Sequence, residues 1–147
     1  MSILHCDGVG DFEAFSGLGI SKNNPDHVGL KDVGPLPPGR YYIVDRESGG
    51  MFSRIKDIFY DVYNNTERHK WYALYRDDDE LDDWAVVNGV RRGLFRLHPS
   101  GRANLSMGCI TLTDQVAFER LRSRLHASPR LIVADAKGLA YGTVEVV

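Results

Sequence analysis

The sequence predicts a mainly β domain of the α+β kind, a sandwich or barrel-like sheet carrying two helices. Three observations point there. Short β-branched and aromatic runs recur along the 147 residues, each bounded by Gly, Pro, Asn or Asp. Only two stretches repeat their apolar residues at helical spacing. No linker, internal repeat or low-complexity segment divides the chain, so residues 1–147 read as one domain, long enough to bury a sizeable core.

The elements follow in order. Ile3 to Cys6 and Asp11 to Phe15 are strand-like and flank Asp7-Gly8-Val9-Gly10, a hairpin signal. Phe12 and Phe15 do not share one alternating face, so the second strand is expected to be irregular. Gly17 to Lys31 reads as a polar loop. Gly34-Pro-Leu-Pro-Pro-Gly39 is a rigid turn, because its prolines fix φ and offer no N–H to a ladder. Arg40 to Asp45 is a strand. Ser48-Gly49-Gly50 then breaks the chain. Met51, Ile55, Ile58, Phe59 and Val62 recur at helical spacing and predict an amphipathic helix over Met51 to Tyr63. Trp71 to Arg76 and Trp84 to Val87 read as strands joined by the acidic run Asp77 to Asp83. Asn88-Gly89 is a turn, and Gly93 to Leu97 and Cys109 to Leu112 are strands. Thr113 is expected to cap a helix from Asp114 to about His126, with Ala117, Phe118, Leu121 and Leu125 inward. Leu131 to Ala134 and Tyr141 to Val147 close the chain as strands.

Charge and cysteine content exclude several functions. A net charge of -2 gives no basic footprint for nucleic acid or an anionic membrane surface. No apolar run approaches the roughly 20 residues of a membrane span, so no membrane insertion is expected. The N-terminal residues lack a basic segment followed by an apolar one, so the chain is expected to be made in the cytoplasm without a secretory signal. Cys6 and Cys109 form neither a disulfide framework nor a zinc pattern, and no metal or cofactor is expected. Cys6, in a short apolar stretch, reads as a buried structural thiol. The acidic run lacks the glycine-containing pattern of a calcium loop and reads as a solvated hairpin tip. His5, His27, His69 and His126 have no partner pattern.

One segment concentrates chemistry: His98-Pro-Ser-Gly-Arg-Ala-Asn-Leu-Ser-Met-Gly-Cys109-Ile-Thr. A thiol attacks as thiolate, and a neighbouring imidazole is the usual means of making one. Gly108 lets backbone N–H groups approach a reacting carbonyl oxygen. Phe95 and Leu97 share one strand face, Arg96 and His98 the other. Likewise Ile110 and Leu112 oppose Cys109 and Thr111. If the apolar pairs face the core, Arg96, His98, Cys109 and Thr111 look away from it together. The same pattern also fits a surface histidine and a half-buried thiol, and periodicity does not choose between them.

The order His-Pro, Gly, then Ser-X-Gly-Cys-Ile resembles the active-site signature of L,D-transpeptidases, the YkuD-like domains that act on bacterial peptidoglycan stem peptides. Further blocks resemble a compact branch that includes type VI secretion effectors: Phe12-Glu-Ala-Phe-Ser-Gly17, Gly34 to Arg46, Leu97-His-Pro, and Gly108-Cys-Ile-Thr111. The resemblance implies Cys109 as nucleophile, His98 as its base, and the N–H groups of Gly108 and Cys109 as oxyanion donors. It implies loss of the terminal D-alanine of a tetrapeptide stem through a cysteine acyl-enzyme. Water then gives L,D-carboxypeptidase activity, a D-amino acid gives exchange, and a second stem gives a crosslink. Ser106 would orient His98 or substrate, or simply shape the turn. Two positions depart from the family pattern: Met107 stands where His is usual, and Thr111 where Arg is common. The substrate carboxylate therefore has no assigned partner. Arg96 and Arg102 are candidates, with Gly101 and Thr111 beside them, though either arginine reads equally as a solvated surface residue. The resemblance further implies a cognate immunity protein, a secretion-system component as partner, and action in the periplasm of a target bacterium after type VI delivery. Two other readings stay open: another cysteine amidase or endopeptidase of peptidoglycan, although papain-like enzymes usually carry Cys before His, and a binding module with an inert motif.

Overall fold

A computed structural model describes residues 1–46, 70–78, 80–102, 104–133 and 138–147. The helix expected over Met51 to Tyr63 and the end of the expected strand at Ala134 lie outside the described residues. Among those residues the strands are β1 (Ser2–Cys6), β2 (Gly10–Phe15), β3 (Gly39–Asp45), β4 (Tyr72–Arg76), β5 (Trp84–Val87), β6 (Val90–Gly93), β7 (Arg96–Pro99), β8 (Ile110–Leu112), β9 (Leu131–Ile132), β10 (Leu139–Ala140) and β11 (Gly142–Val146). The helix α1 spans Gln115–Ala127. It is too short to cross a membrane.

Seven strands make one sheet in the order β1-β2-β8-β7-β4-β3-β11, and β5-β6 and β9-β10 are separate ribbons. The sheet curls so far that its two edge strands line one apolar cleft of about 470 Å³, with Ile3 and Leu4 on one side and Val144 and Val146 on the other. The fold is thus mainly β and barrel-like, as expected. The main core fills the concave side with Phe12, Tyr41, Ile43, Tyr72, Leu74, Leu97 and Leu112. α1 adds Phe118 and Leu121, nearly fully buried; each contributes about 1.5–3 kcal/mol by leaving water. A smaller cluster of Val44, Ala73, Val133 and Ala140 covers the opposite face.

Three local expectations change. The strand expected over Gly93 to Leu97 is broken at Leu94, which has φ +59°, so that Gly93 ends β6 and β7 begins at Arg96. β2 pairs with β1 in regular register from Ala14 to Gly10. Phe12 and Phe15 are both buried because each face of the sheet is covered there, not because the strand is irregular. The helix cap is Asp114, whose carboxylate accepts from the Val116 N–H at 2.8 Å. Thr113 is tied elsewhere, its N–H donating to the Glu13 carbonyl at 3.1 Å.

Candidate active site

The site is built on a parallel pair. β7 and β8 run side by side in one direction, with Leu97 level with Ile110 and His98 level with Thr111. The ten residues between Pro99 and Ile110 carry the chain back to permit this. One register step earlier, Cys109 comes level with Arg96. Opposed residues share a face, so Arg96, His98, Cys109 and Thr111 all stand on the side away from the main core. That face is not open: Arg96 is 4% exposed and His98, Cys109 and Thr111 are 0% exposed. The readings of His98 as a surface residue and Cys109 as a half-buried thiol are therefore corrected. Val44 and Ala73 of the second cluster stand in one row with Arg96 on this face. β4 contributes most directly, because its antiparallel register with β7 sets Trp71 one step beyond the Tyr72–Leu97 pair. The indole stacks on the His98 ring, with centroids 4.3 Å apart and planes 20° from parallel.

His98 has a defined tautomer. Its Nδ1 lies 2.8 Å from the Pro99 carbonyl, which only accepts, so Nδ1 carries the proton. Nε2 is then unprotonated and accepts from the Thr111 hydroxyl at 3.3 Å. Burial pushes the imidazole down to about 4; the Pro99 bond opposes this and the Arg96 charge adds to it. The ring is neutral near neutral pH and able to accept a proton. Burial likewise pushes the Cys109 thiol up to about 11, against the Arg96 charge and backbone hydrogen bonds from Arg96 and Met107. The ground state is thus a neutral thiol and a neutral imidazole, not an ion pair.

The turn before Cys109 is tightly constrained. The buried Ser106 hydroxyl donates to the Cys109 carbonyl at 2.8 Å. It shapes the turn; no bond from it reaches His98. Gly108 has φ +90°, and a Cβ there would lie 2.5 Å from Arg92 Nη2 and 3.3 Å from the Phe95 ring. Glycine is required both for the backbone conformation and for the close packing.

A family model described as the Tlde1 domain matches residues 10–136. The chain belongs to the Tlde1 domain family. It is by family a peptidoglycan-modifying domain of the type VI secretion effector kind. A comparison with curated proteins finds no match. The Tlde1 match spans every residue of the site, while the edge strands β1 and β11 fall outside it.

Within this Tlde1 domain the two candidate carboxylate binders are separated. Arg96 is engaged by a carboxylate of the protein itself: its Nη1 and Nη2 donate to the two Asp83 oxygens at 2.6 and 2.7 Å, and Nη1 also reaches the Phe95 carbonyl at 2.7 Å. Arg102 is exposed on the loop between His98 and Cys109, beside the half-buried Gly101. That loop is braced by Asn104, whose N–H donates to the Gly101 carbonyl at 3.1 Å and whose side chain meets the Ser100 hydroxyl. Cys6 is half-buried at an edge strand rather than fully buried, two strands from β8. Burial and the Asp7 charge raise its pKa.

Three functional neighbours escaped sequence reasoning. Asp83 belongs to a run read as solvated, yet its side chain is only 15% exposed against Arg96. Trp71 was read only as the start of a strand; its role depends on pairing between β4 and β7. Arg92 sits in a polar-looking Arg-Arg pair, and nothing in the local pattern marks it as 2% exposed. The apolar cleft between the sheet edges is lined by none of the proposed catalytic residues.

Proposed function

We propose that this domain is a cysteine L,D-transpeptidase of the YkuD-like kind that acts on tetrapeptide stems of peptidoglycan. It removes the terminal D-alanine as an L,D-carboxypeptidase, or exchanges it for another D-amino acid. The observation that carries this reading is an imidazole whose Nδ1–H is held by the Pro99 carbonyl, so that Nε2 is unprotonated, on the strand beside Cys109 and on the same face. A base held in one tautomer by a third group is the arrangement a cysteine nucleophile needs.

His98 Nε2 takes the Cys109 proton as the sulfur attacks the carbonyl carbon of the third stem residue. The carbonyl electrons move to oxygen, where the N–H groups of Gly108 and Cys109 stabilise the charge. Collapse breaks the C–N bond. The His98 imidazolium returns its proton to the departing D-alanine amine, leaving a thioester on Cys109. His98 then deprotonates water or an incoming amine, whose attack releases the shortened or exchanged stem and restores the thiol. The Arg102 guanidinium, exposed on the intervening loop, is the better placed of the two arginines to meet the substrate carboxylate. No metal or cofactor enters these steps. Delivery to the periplasm of a target bacterium by a type VI machine, with a cognate immunity protein in the producer, completes the proposal.

Incubation of the purified protein with defined tetrapeptide muropeptides, followed by mass analysis, tests it. The expected products are tripeptide stems, and exchanged stems when a D-amino acid is added. Cleavage between sugar and peptide, or within the crosslink, would assign the cysteine to an amidase or endopeptidase. Absence of any product would leave the binding-module reading.

A further inference from the structure

We infer that Arg92 is a positioning residue of the same site, which supplies the positive charge that the neutral His98 does not. The inference rests on Cys109 being the nucleophile. Arg92 lies on β6 and is 2% exposed. Its guanidinium donates to three carbonyls of one loop: Val28, Pro35 at 2.7 Å and Gly34 at 2.9 Å. Its other side presses on the Cys109 turn, where the position of a Gly108 Cβ is 2.5 Å from Nη2. The Phe95 ring centroid is 5.3 Å from Cζ. The guanidinium thus plugs the space between the loop before β3 and the turn that bears the nucleophile.

No carboxylate lies within ion-pair distance of Arg92 among the described residues; its hydrogen bonds go to carbonyls, and the Asp32 charge acts on it from further away. Burying a cation this way is costly. The contrast with Arg96 is instructive. Arg96 stands level with Cys109, but its charge is matched by the bidentate Asp83. The Arg96 charge lowers the Cys109 pKa but is opposed there by Asp83, whereas no such bidentate carboxylate grips Arg92 among the described residues. Thiolate and tetrahedral oxyanion both develop negative charge at that turn, and a fixed cation in a water-poor setting stabilises each. Burial lowers the Arg92 pKa, and the charges of Tyr41, Asp32 and Cys109 raise it again.

The test is a titration that needs no peptidoglycan. Thiolate absorbance of Cys109 is followed against pH, as the difference from a Cys109→Ser protein, in the wild-type, Arg92→Met and Arg92→Lys backgrounds, with melting temperature recorded for each. Arg92→Met removes the charge and is expected to raise the Cys109 midpoint by about one pH unit or more. That corresponds to an about tenfold loss of thiolate at neutral pH. Arg92→Lys keeps the charge but loses the fork that grips Gly34 and Pro35; its melting temperature should fall while the Cys109 midpoint stays near wild type. A folded Arg92→Met protein with an unmoved midpoint overturns the inference. So does an Arg92→Lys protein whose midpoint rises as far, since Arg92 would then act through shape alone. If Arg92→Met does not fold, Arg92→Gln, which also removes the charge, takes its place with the same expected rise and the same overturning result. Failure here with muropeptides still processed removes only this inference; a shifted titration with no muropeptide product removes only the substrate assignment.

Discussion

His98 is the residue whose environment has the most direct experimental consequence. Its pKa falls from 6.5 in the unfolded chain to about 4 in the fold, chiefly by burial. Between those values the unfolded chain binds the extra proton and the folded one does not. Stability is therefore complete above pH 6.5 and declines as pH falls toward 4, by about 3 kcal/mol in total. Urea unfolding at a series of pH values should show this slope, and His98→Gln should flatten it. The same burial predicts that activity holds well below the usual histidine range, because His98 stays a free base there. An acid limb near pH 6.5 would show that His98 titrates as though exposed. Trp71 supports that burial. Trp71→Ala should cut turnover about tenfold or more by loosening the ring and admitting water, whereas Trp71→Phe should retain most of it. Equal turnover in all three proteins would deprive the 4.3 Å stack of any functional role.

At the scale of elements, much was legible and the decisive pairing was not. The strand runs around Arg40–Asp45 and Trp84–Val87 declare themselves through β-branched and aromatic residues, and both appear nearly as read. Alternation around His98 and Cys109 correctly set Arg96, His98, Cys109 and Thr111 on one face. What alternation cannot reveal is which strand lies beside which. The parallel union of β7 and β8, and the antiparallel approach of β4 that delivers Trp71, are long-range pairings with no local signal. For the same reason the outward face looked exposed: its residues are buried, and the one ring seen stacked on His98, Trp71, is distant in sequence. Asp83 was hidden by composition, since an acidic run is normally solvated, yet its last member turns inward to Arg96. The start of α1 was one residue off, because Thr113 and Asp114 are both good caps and tertiary pairing of Thr113 with Glu13 decides between them. Asp114→Ala should therefore cost about 1 kcal/mol in chemical unfolding. A larger loss from Thr113→Ala would reassign the cap.

For the whole molecule, the curled sheet separates two regions. The Cys–His face holds Trp71 stacked on His98, and it lies within the segment that carries the Tlde1 family match. The cleft between β1 and β11 lies outside the site, with Ile110 lining it from the face opposite Cys109. Membership of a peptidoglycan-modifying effector family gives a prediction for the intact cell. The protein should be harmless when expressed in the cytoplasm of a Gram-negative host and toxic when directed to the periplasm. Periplasmic toxicity should vanish with Cys109→Ala. Killing from the cytoplasm that persists in Cys109→Ala would point to a different target altogether.

The most direct test of the central claim is the turnover of a purified tetrapeptide muropeptide by wild-type protein and by Cys109→Ala, read by mass. The Cys–His assignment predicts loss of D-alanine with the wild-type protein and none above background with Cys109→Ala, while circular dichroism shows both folded. Equal release of D-alanine by the two proteins would contradict Cys109 as the nucleophile and the function built on it.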